Sequence, residues 1–391
     1  MKDNPIWKII LSTLIFLTTI SSPRSLGGRP LRVALVGDPQ VDTPTELRYA
    51  RMSIYRDLRE RDDIDLVLVL GDLVNDRTEL LAGSVSSLDS TGKSWLALPG
   101  NHDRDNRKGE FRGLEAWKKD VGYIDTAVVS GRGALILMNN VRTKGRADYE
   151  GGFSESQKMW LERTLKSLPG KTPVLLATHI PLSETEGLDT LASILHLHPG
   201  ILSVSGHTHC VRRSPGPETL GLSEELVAGA TCGSWWRGPK DSSGVPSALM
   251  MCGSPRGYFD LTVRGRRHLR LEFHRIGGGP QCSAHCSGDS LMINIFGGHT
   301  DGTVEVIPPS GKRIAARRED TPAPEIVETI SWNRKMGKDY FRSHRDEFIP
   351  ARRTDSPHVW VAPFNGGESV TIKYSDHLMN LEETVPVTKT Y

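Results

Sequence analysis

The sequence predicts a layered α/β domain followed by a smaller, mostly β domain, and three observations carry that prediction. From about Leu31 to His209, short apolar runs alternate with segments of helical period, the pattern of strands covered by helices. Five of those runs close, within a few residues, on residue types that bind hard metals. After Thr231 the helical period fades, and past Ile276-Gly277-Gly278-Gly279-Pro280 come short β-rich runs separated by turn residues.

Taken in order, Lys2 and Lys8 precede an apolar stretch, Ile9–Ile20, that stops at Ser21-Ser22-Pro23-Arg24. Residues 1–28 read as a secretory signal or N-terminal anchor, since a bilayer span takes about 20 apolar residues and this run is shorter. The chain is expected to be exported: periplasmic, secreted, or held at a membrane with this segment as the tether. Leu31–Val36, Leu66–Leu70, Trp95–Leu98, Val174–Ala177 and Ile201–Val204 read as strands. Pro44 can open a helix bearing Leu47, Ile54 and Leu58, and Ser154 with Gln157 forms a capping box ahead of Met159, Trp160, Leu161 and Leu165. Tyr258–Val263 and His268–His274 read as two strands joined at Arg264-Gly265-Arg266. The expected units are a first domain over 29–276, a linker over 277–286 and a β domain over 287–391. In the last, Met292–Phe296, Thr303–Ile307, Ile326–Ile330, His358–Val361 and Val370–Tyr374 suggest a small β-sandwich, with a helical insertion around Trp332–Ser343.

With 391 residues and a formal net charge of +2, the chain can bury a sizeable core and offers no electrostatic case for a nucleic-acid surface. Its cysteines are Cys210, Cys232, Cys252, Cys282 and Cys286, an odd number, so at least one is free or paired between chains. Cys282 and Cys286 read as a local disulfide or two ordinary thiols rather than a metal site. Cys210, next to His209, reads as a buried structural thiol.

The closing residues of the five runs carry the chemistry. They are Gly37-Asp38, Gly71-Asp72, Gly100-Asn101-His102-Asp103, His179 and Gly206-His207-Thr208-His209. Ligands gather beyond the carboxyl ends of strands in α/β sheets, and carboxylate, amide and imidazole donors without thiolate suit Mn, Fe or Zn. Asp72 can bridge two ions, with Asp38 and His209 on one and Asn101, His179 and His207 on the other. Two such ions lower the pKa of a bound water and clamp a phosphoryl group. His102 is placed as general acid or as a stabiliser of transition-state charge.

Gly71-Asp72-x-x-Asn75-Asp76, Gly100-Asn101-His102-Asp103, His179 and Gly206-His207-x-His209 resemble the motif series of the calcineurin-like metallophosphoesterases. The resemblance implies a four-layer αββα sandwich, a dinuclear centre of two divalent or trivalent ions and a phosphoester substrate. Gly233-Ser234-Trp235-Trp236-Arg237-Gly238-Pro239-Lys240, Gly253-Ser254-Pro255-Arg256-Gly257-Tyr258 and Ser356-Pro357-His358-Val359-Trp360 resemble an exported bacterial subgroup with an extra C-terminal β domain. Two departures stand out. Gln40 occupies the place of the usual first-motif His, as a weak ligand or an orienter of water. Asn75 occupies the place of an Asp that would support the motif His, leaving Asp76 or Asp103 for that task. Of the adjacent tryptophans, one is expected in the core and the other at the substrate, and Arg237 is a candidate phosphate clamp. The competing reading is a non-catalytic metal- or ligand-binding protein whose β domain binds a cell-surface glycan, Trp360 being the candidate aromatic.

Overall fold

The computed structural model describes residues 30–105, 113–130, 133–145, 148–170, 172–264 and 268–389; the expected N-terminal signal lies outside them. The first part of the chain runs β1 (Leu31–Val36), α1 (Pro44–Met52), α2 (Ile54–Glu60), β2 (Leu66–Val69), α3 (Leu81–Asp89), β3 (Ser94–Ala97) and α4 (Glu115–Asp120). Next come β4 (Thr126–Ser130), β5 (Gly133–Leu137), a hairpin of β6 (Val141–Lys144) and β7 (Asp148–Gly151), α5 (Glu155–Ser167), β8 (Val174–Ala177), α6 (Leu188–Leu195) and β9 (Ile201–Ser205). The antiparallel pairs β10 (Val211–Ser214) with β11 (Glu224–Ala228), and β12 (Gly257–Arg264) with β13 (His268–Arg275), complete this part.

One sheet has the order β13-β12-β1-β2-β3 and the other β10-β11-β9-β8-β5-β4. Alternation of side chains along each strand assembles the layers. Val33 and Leu35 face inward with Leu68, Leu175, Val204 and Phe259 between the sheets. Ala34 and Val36 face outward onto Leu47, Ile54, Leu58 and Leu88 of α1 to α3. Ile136 and Leu176 face outward onto Leu161 and Leu165 of α5 and Leu191 of α6. The result is the αββα sandwich, and strands buried on both faces explain the continuous apolar runs. Thr43 caps α1 ahead of Pro44, and the Ser154–Gln157 capping box closes the start of α5.

The rest of the chain adds β14 (Cys282–Ser287), β15 (Ser290–Ile295), β16 (Thr303–Ile307), β17 (Ile314–Arg318), α7 (Pro324–Ser343), β18 (Val359–Pro363), β19 (Ser369–Ser375) and β20 (Asn380–Lys389). These seven strands close into a barrel, β14-β15-β18-β17-β16-β19-β20, in which β20 pairs parallel with β14. The domain is all-β apart from α7 and closes on itself rather than forming two open sheets. The linker is shorter than expected, because β14 begins at Cys282. Ile326–Ile330 is the first part of α7, not a strand: Pro324 opens the helix, and Ile326 and Ile330 pack one turn apart on Val359 and Met292. Gly337 (φ 74°) breaks the helical backbone within α7. Cys282 and Cys286 lie on one strand four residues apart, about 13 Å at strand rise, beyond the Cα separation a disulfide allows; both are free thiols. Trp360 is 1% exposed inside the barrel against Tyr374, so it offers nothing to a glycan.

The barrel docks on the β10 edge of the sandwich through Arg213, whose side chain is fully buried. Its guanidinium donates to Glu224 Oε1 (2.7 Å), Asp376 Oδ2 (2.8 Å) and the Gly297 carbonyl (3.0 Å). Phe296 and Leu378 of the barrel join the inter-sheet core.

Candidate metal centre

Parallel pairing of β1, β2 and β3 in one sheet and of β8 and β9 in the other sends the chain off each strand at a common edge. There the six expected ligands meet. Asp38, Asp72 and His179 are buried and offer ligand atoms within 4.8 Å of one another. His179 Nε2 lies 3.3 Å from Asp72 Oδ2, 2.9 Å from Asn101 Oδ1 and 3.2 Å from His207 Nδ1. His209 Nε2 lies 4.0 Å from Asp38 Oδ1.

The backbone is bent to achieve this. Asp38 (φ 42°), Gln40 (40°), Asp72 (52°), Asp76 (60°), His207 (74°) and His209 (55°) are all the non-glycine residues at positive φ among the described residues, and such strain concentrates at functional sites. The motif glycines make room: a Cβ on Gly100 would fall on the Asp72 carboxylate, and one on Gly206 on that of Asp38. The His207 N–H donates to the Asp38 carboxylate (3.0 Å) and the His102 N–H to Asp72 Oδ1 (2.9 Å). Trp236 is buried and donates from Nε1 to the Pro39 carbonyl (2.9 Å), holding the first loop from behind.

Hydrogen bonds on the far side of two imidazoles fix which nitrogen each one offers. His179 Nδ1 donates to the Leu70 carbonyl (2.8 Å) and His209 Nδ1 to that of Ser234 (3.0 Å), leaving both Nε2 lone pairs aimed inward. His179 Nε2 then faces the Asp72 carboxylate, the Asn101 amide oxygen and His207 Nδ1, a cluster that a cation or a proton holds together. Without the cation a proton does so. Burial alone would lower His179, but the charge and hydrogen bond of Asp72, with the charge of Asp38, bring it up to about 9. Burial and the His179 charge push His207 down to about 3. Burial lifts Asp38 well above the usual carboxylate range, His179 opposing. Burial would lift Asp72 as well, but His179 holds it below that range. Gln40 Nε2 donates to Asn75 Oδ1 (3.3 Å), while its Oε1 is buried with no hydrogen-bond partner. A cation would satisfy that oxygen, so the donor set fits metal.

Asp76 Oδ1 lies 2.9 Å from His102 Nδ1, so Asp76 is the supporting carboxylate. Burial opposes protonation of His102, yet the Asp76 hydrogen bond and the Asp72 and Asp76 charges hold it up to about 9. Asp103 instead accepts from the Gly100 (2.9 Å) and Val74 (3.1 Å) N–H groups, pinning two motif loops together. Burial, reinforced by the Asp72 charge, lifts it to about 7.

Of the expected substrate contacts, half-buried Trp235 stands beside the centre, its ring centroid 5.3 Å from that of His209. Trp236 is in the core, with Arg256 over its ring. Arg237 is exposed, and its charge is felt by Glu46. Tyr149, which no sequence feature marks, sits edge-on to His207 at 5.8 Å and feels the Asp72 and Asp76 charges. Glu224, His299 and His377 also gather, but as an ion-pair network. Arg213 and His377 occupy both Glu224 oxygens, and His299 Nδ1 accepts from the Asp301 N–H (3.0 Å), which leaves its other nitrogen protonated.

Residues 31–211 match the family model described as calcineurin-like phosphoesterase, and residues 225–380 match the one described as C terminal of calcineurin-like phosphoesterase. The chain belongs to the calcineurin-like phosphoesterase family and is a metal-dependent hydrolase of phosphoester bonds. It is 26% identical over 203 residues (46% of this chain, 72% of the relative) to a protein of Arcobacter nitrofigilis named probable glycerophosphodiester phosphodiesterase. It is 24% identical over 211 residues (53% and 70%) to one of Rhodopseudomonas palustris named probable cyclic nucleotide phosphodiesterase. Among solved structures, a phosphatase of Mycoplasma pneumoniae covers 63% of this chain and 94% of its own length, at 12% identity and a TM-score of 0.34.

Proposed function

We propose that this chain is an exported phosphodiesterase working with two ions, Mn, Fe or Zn. Asp38, Asp72, His209 and the Gln40 Oε1 would hold one, and Asp72, Asn101, His179 and His207 would hold the other. The observation that carries this reading is the inward convergence of imidazole lone pairs and buried carboxylates around His179 Nε2. Bound ions would supply an activated water and charge stabilisation at phosphorus. His102, with Nδ1 on Asp76, keeps Nε2 for the departing oxygen. Trp235 beside His209 and Tyr149 beside His207 give walls for the two arms of a diester, and both relatives are named as diesterases. Export rests on the charged and apolar pattern of residues 1–28.

The test is turnover of the stripped and reloaded protein, with Mn, Fe, Zn or no added metal, on glycerophosphodiesters, cyclic nucleotides, aryl diesters and the matching monoesters. Diesters should be preferred and activity should vanish with chelation. A monoester preference would overturn the diester reading. No turnover with any metal would favour a binding protein, the alternative that the neutral Gln40 amide supports.

A further inference from the structure

Five cysteines left one pairing question open, and the structure places two of them together. Cys210 follows His209 directly, and Cys252 lies between β11 and β12. The Met251 N–H donates to the His209 carbonyl (2.9 Å) and the Val211 N–H to Cys252 Sγ (3.2 Å), so the two backbones run together on either side of the pair. The Cys252 sulfur therefore lies against the backbone that carries Cys210. Both are free thiols in this structure, Cys252 buried and Cys210 partly exposed.

A base stands on the far side of Cys252. Asn294 Nδ2 donates to Glu325 Oε2 (2.9 Å), which turns its Oδ1 toward His358 Nδ1 (2.7 Å). Nδ1 therefore carries the proton, and Nε2 keeps its lone pair for Ser254 Oγ (3.5 Å), to which Cys252 Sγ in turn donates (3.6 Å). His358 belongs to the distal Ser-Pro-His-Val-Trp motif, for which the metal centre gives no use.

We propose that Cys210 and Cys252 form a disulfide that braces the loop carrying His207 and His209. The oxidant is a small-molecule or protein disulfide. The more exposed Cys210 sulfur attacks it, forming a mixed disulfide and releasing one thiol, which takes up the Cys210 proton. Cys252 then passes its proton through Ser254 Oγ to His358 Nε2 and attacks the Cys210 sulfur, expelling the second thiol, which takes up the proton. Two protein thiols are oxidised to one disulfide while one external disulfide is reduced to two thiols. The brace rests on the ligand assignment proposed above; the disulfide does not.

The test uses full-length protein, reduced and then incubated with oxidised glutathione, blocked under denaturing conditions, digested and read by mass spectrometry. A linked Cys210–Cys252 peptide is expected, with two fewer free thiols than the five in the chain. Cys252→Ser should stop at a glutathione adduct on Cys210. No linked peptide, or a link between other cysteines, overturns the disulfide. Under chelator challenge, oxidised protein should retain manganese several-fold longer than reduced protein, and Cys252→Ser should show no such difference. Equal retention in the two states of the unsubstituted chain overturns the brace, independently of whether the chain hydrolyses any phosphoester.

Discussion

Asp76→Asn isolates one charge at the centre while leaving every proposed metal ligand in place. Asp76 contacts His102 Nδ1 at 2.9 Å, and a hydrogen bond to a charged group contributes about 1.5–3 kcal/mol when shielded from water. The Asp76 side chain is 43% exposed, so solvent screening takes that down to about 1–2 kcal/mol. By rate arithmetic the expected loss is roughly 5- to 30-fold on substrates whose leaving alkoxide needs a proton. Activated aryl esters, whose leaving groups depart unassisted, should change less than about threefold. Metal content should not change. The assay is kcat/KM for matched alkyl and aryl diesters, with bound metal quantified in the same samples. Equal losses on the two substrate classes would make His102 an electrostatic stabiliser, and loss of metal would mean that Asp76 supports the ligands themselves; either refutes the reasoning.

Asp72→Asn should release metal and slow turnover roughly a thousandfold, about 4 kcal/mol; near-normal activity with full metal would remove Asp72 from its bridging place. Gly100→Ala should weaken metal binding without unfolding the chain, since the new Cβ meets the Asp72 carboxylate, and titration calorimetry with manganese would show unchanged affinity if the space is not needed. Arg213→Met should cost about 3–5 kcal/mol in urea unfolding, because Asp376 loses its buried cation and Glu224 keeps His377 alone; a loss under 1 kcal/mol would deny the docking role. His285, between Glu325 and Glu328, is held up to about 9 by their hydrogen bonds and charges against the pull of burial. Its stabilisation is therefore complete below the unfolded value of about 6.5 and lost as pH rises through about 9. His285→Gln should flatten the melting temperature across that window, and an unchanged pH slope would contradict the assignment.

Strands β1, β2, β3, β8 and β9 were legible because burial on both faces writes an unbroken apolar run, and because their closing residues are restricted by the room and the donors a metal needs. β14 was not, since Cys282–Ser287 reads Cys-Ser-Ala-His-Cys-Ser and its strand character comes from its partners Leu291 to Ile295. The segment Ile326–Ile330 misled because β-branched residues favour strands locally, while its burial against Val359 is helical. The six proposed ligands were legible by residue type, but the choice of Asp76 over Asp103 was not, for both follow the motifs closely and only direction separates them. Tyr149 left no trace because its place beside His207 is a product of the β6–β7 hairpin, not of any pattern around it.

The run of positive φ angles through Asp38, Gln40, Asp72, Asp76, His207 and His209 has a meaning for how this scaffold can change. Each left-handed non-glycine residue costs roughly 1 kcal/mol, and six of them rival the net stability of a typical domain, about 5–15 kcal/mol. Glycine would relieve the strain at every one of them, and four of the six are proposed ligands, with a fifth, Gln40, offering its amide. Relief there would also take away the carboxylates that the His207 and His102 N–H groups need, so strain, loop hydrogen bonds and proposed ligands are tied to the same side chains. A descendant released from selection for catalysis would therefore shed its strain and its metal centre together rather than one at a time.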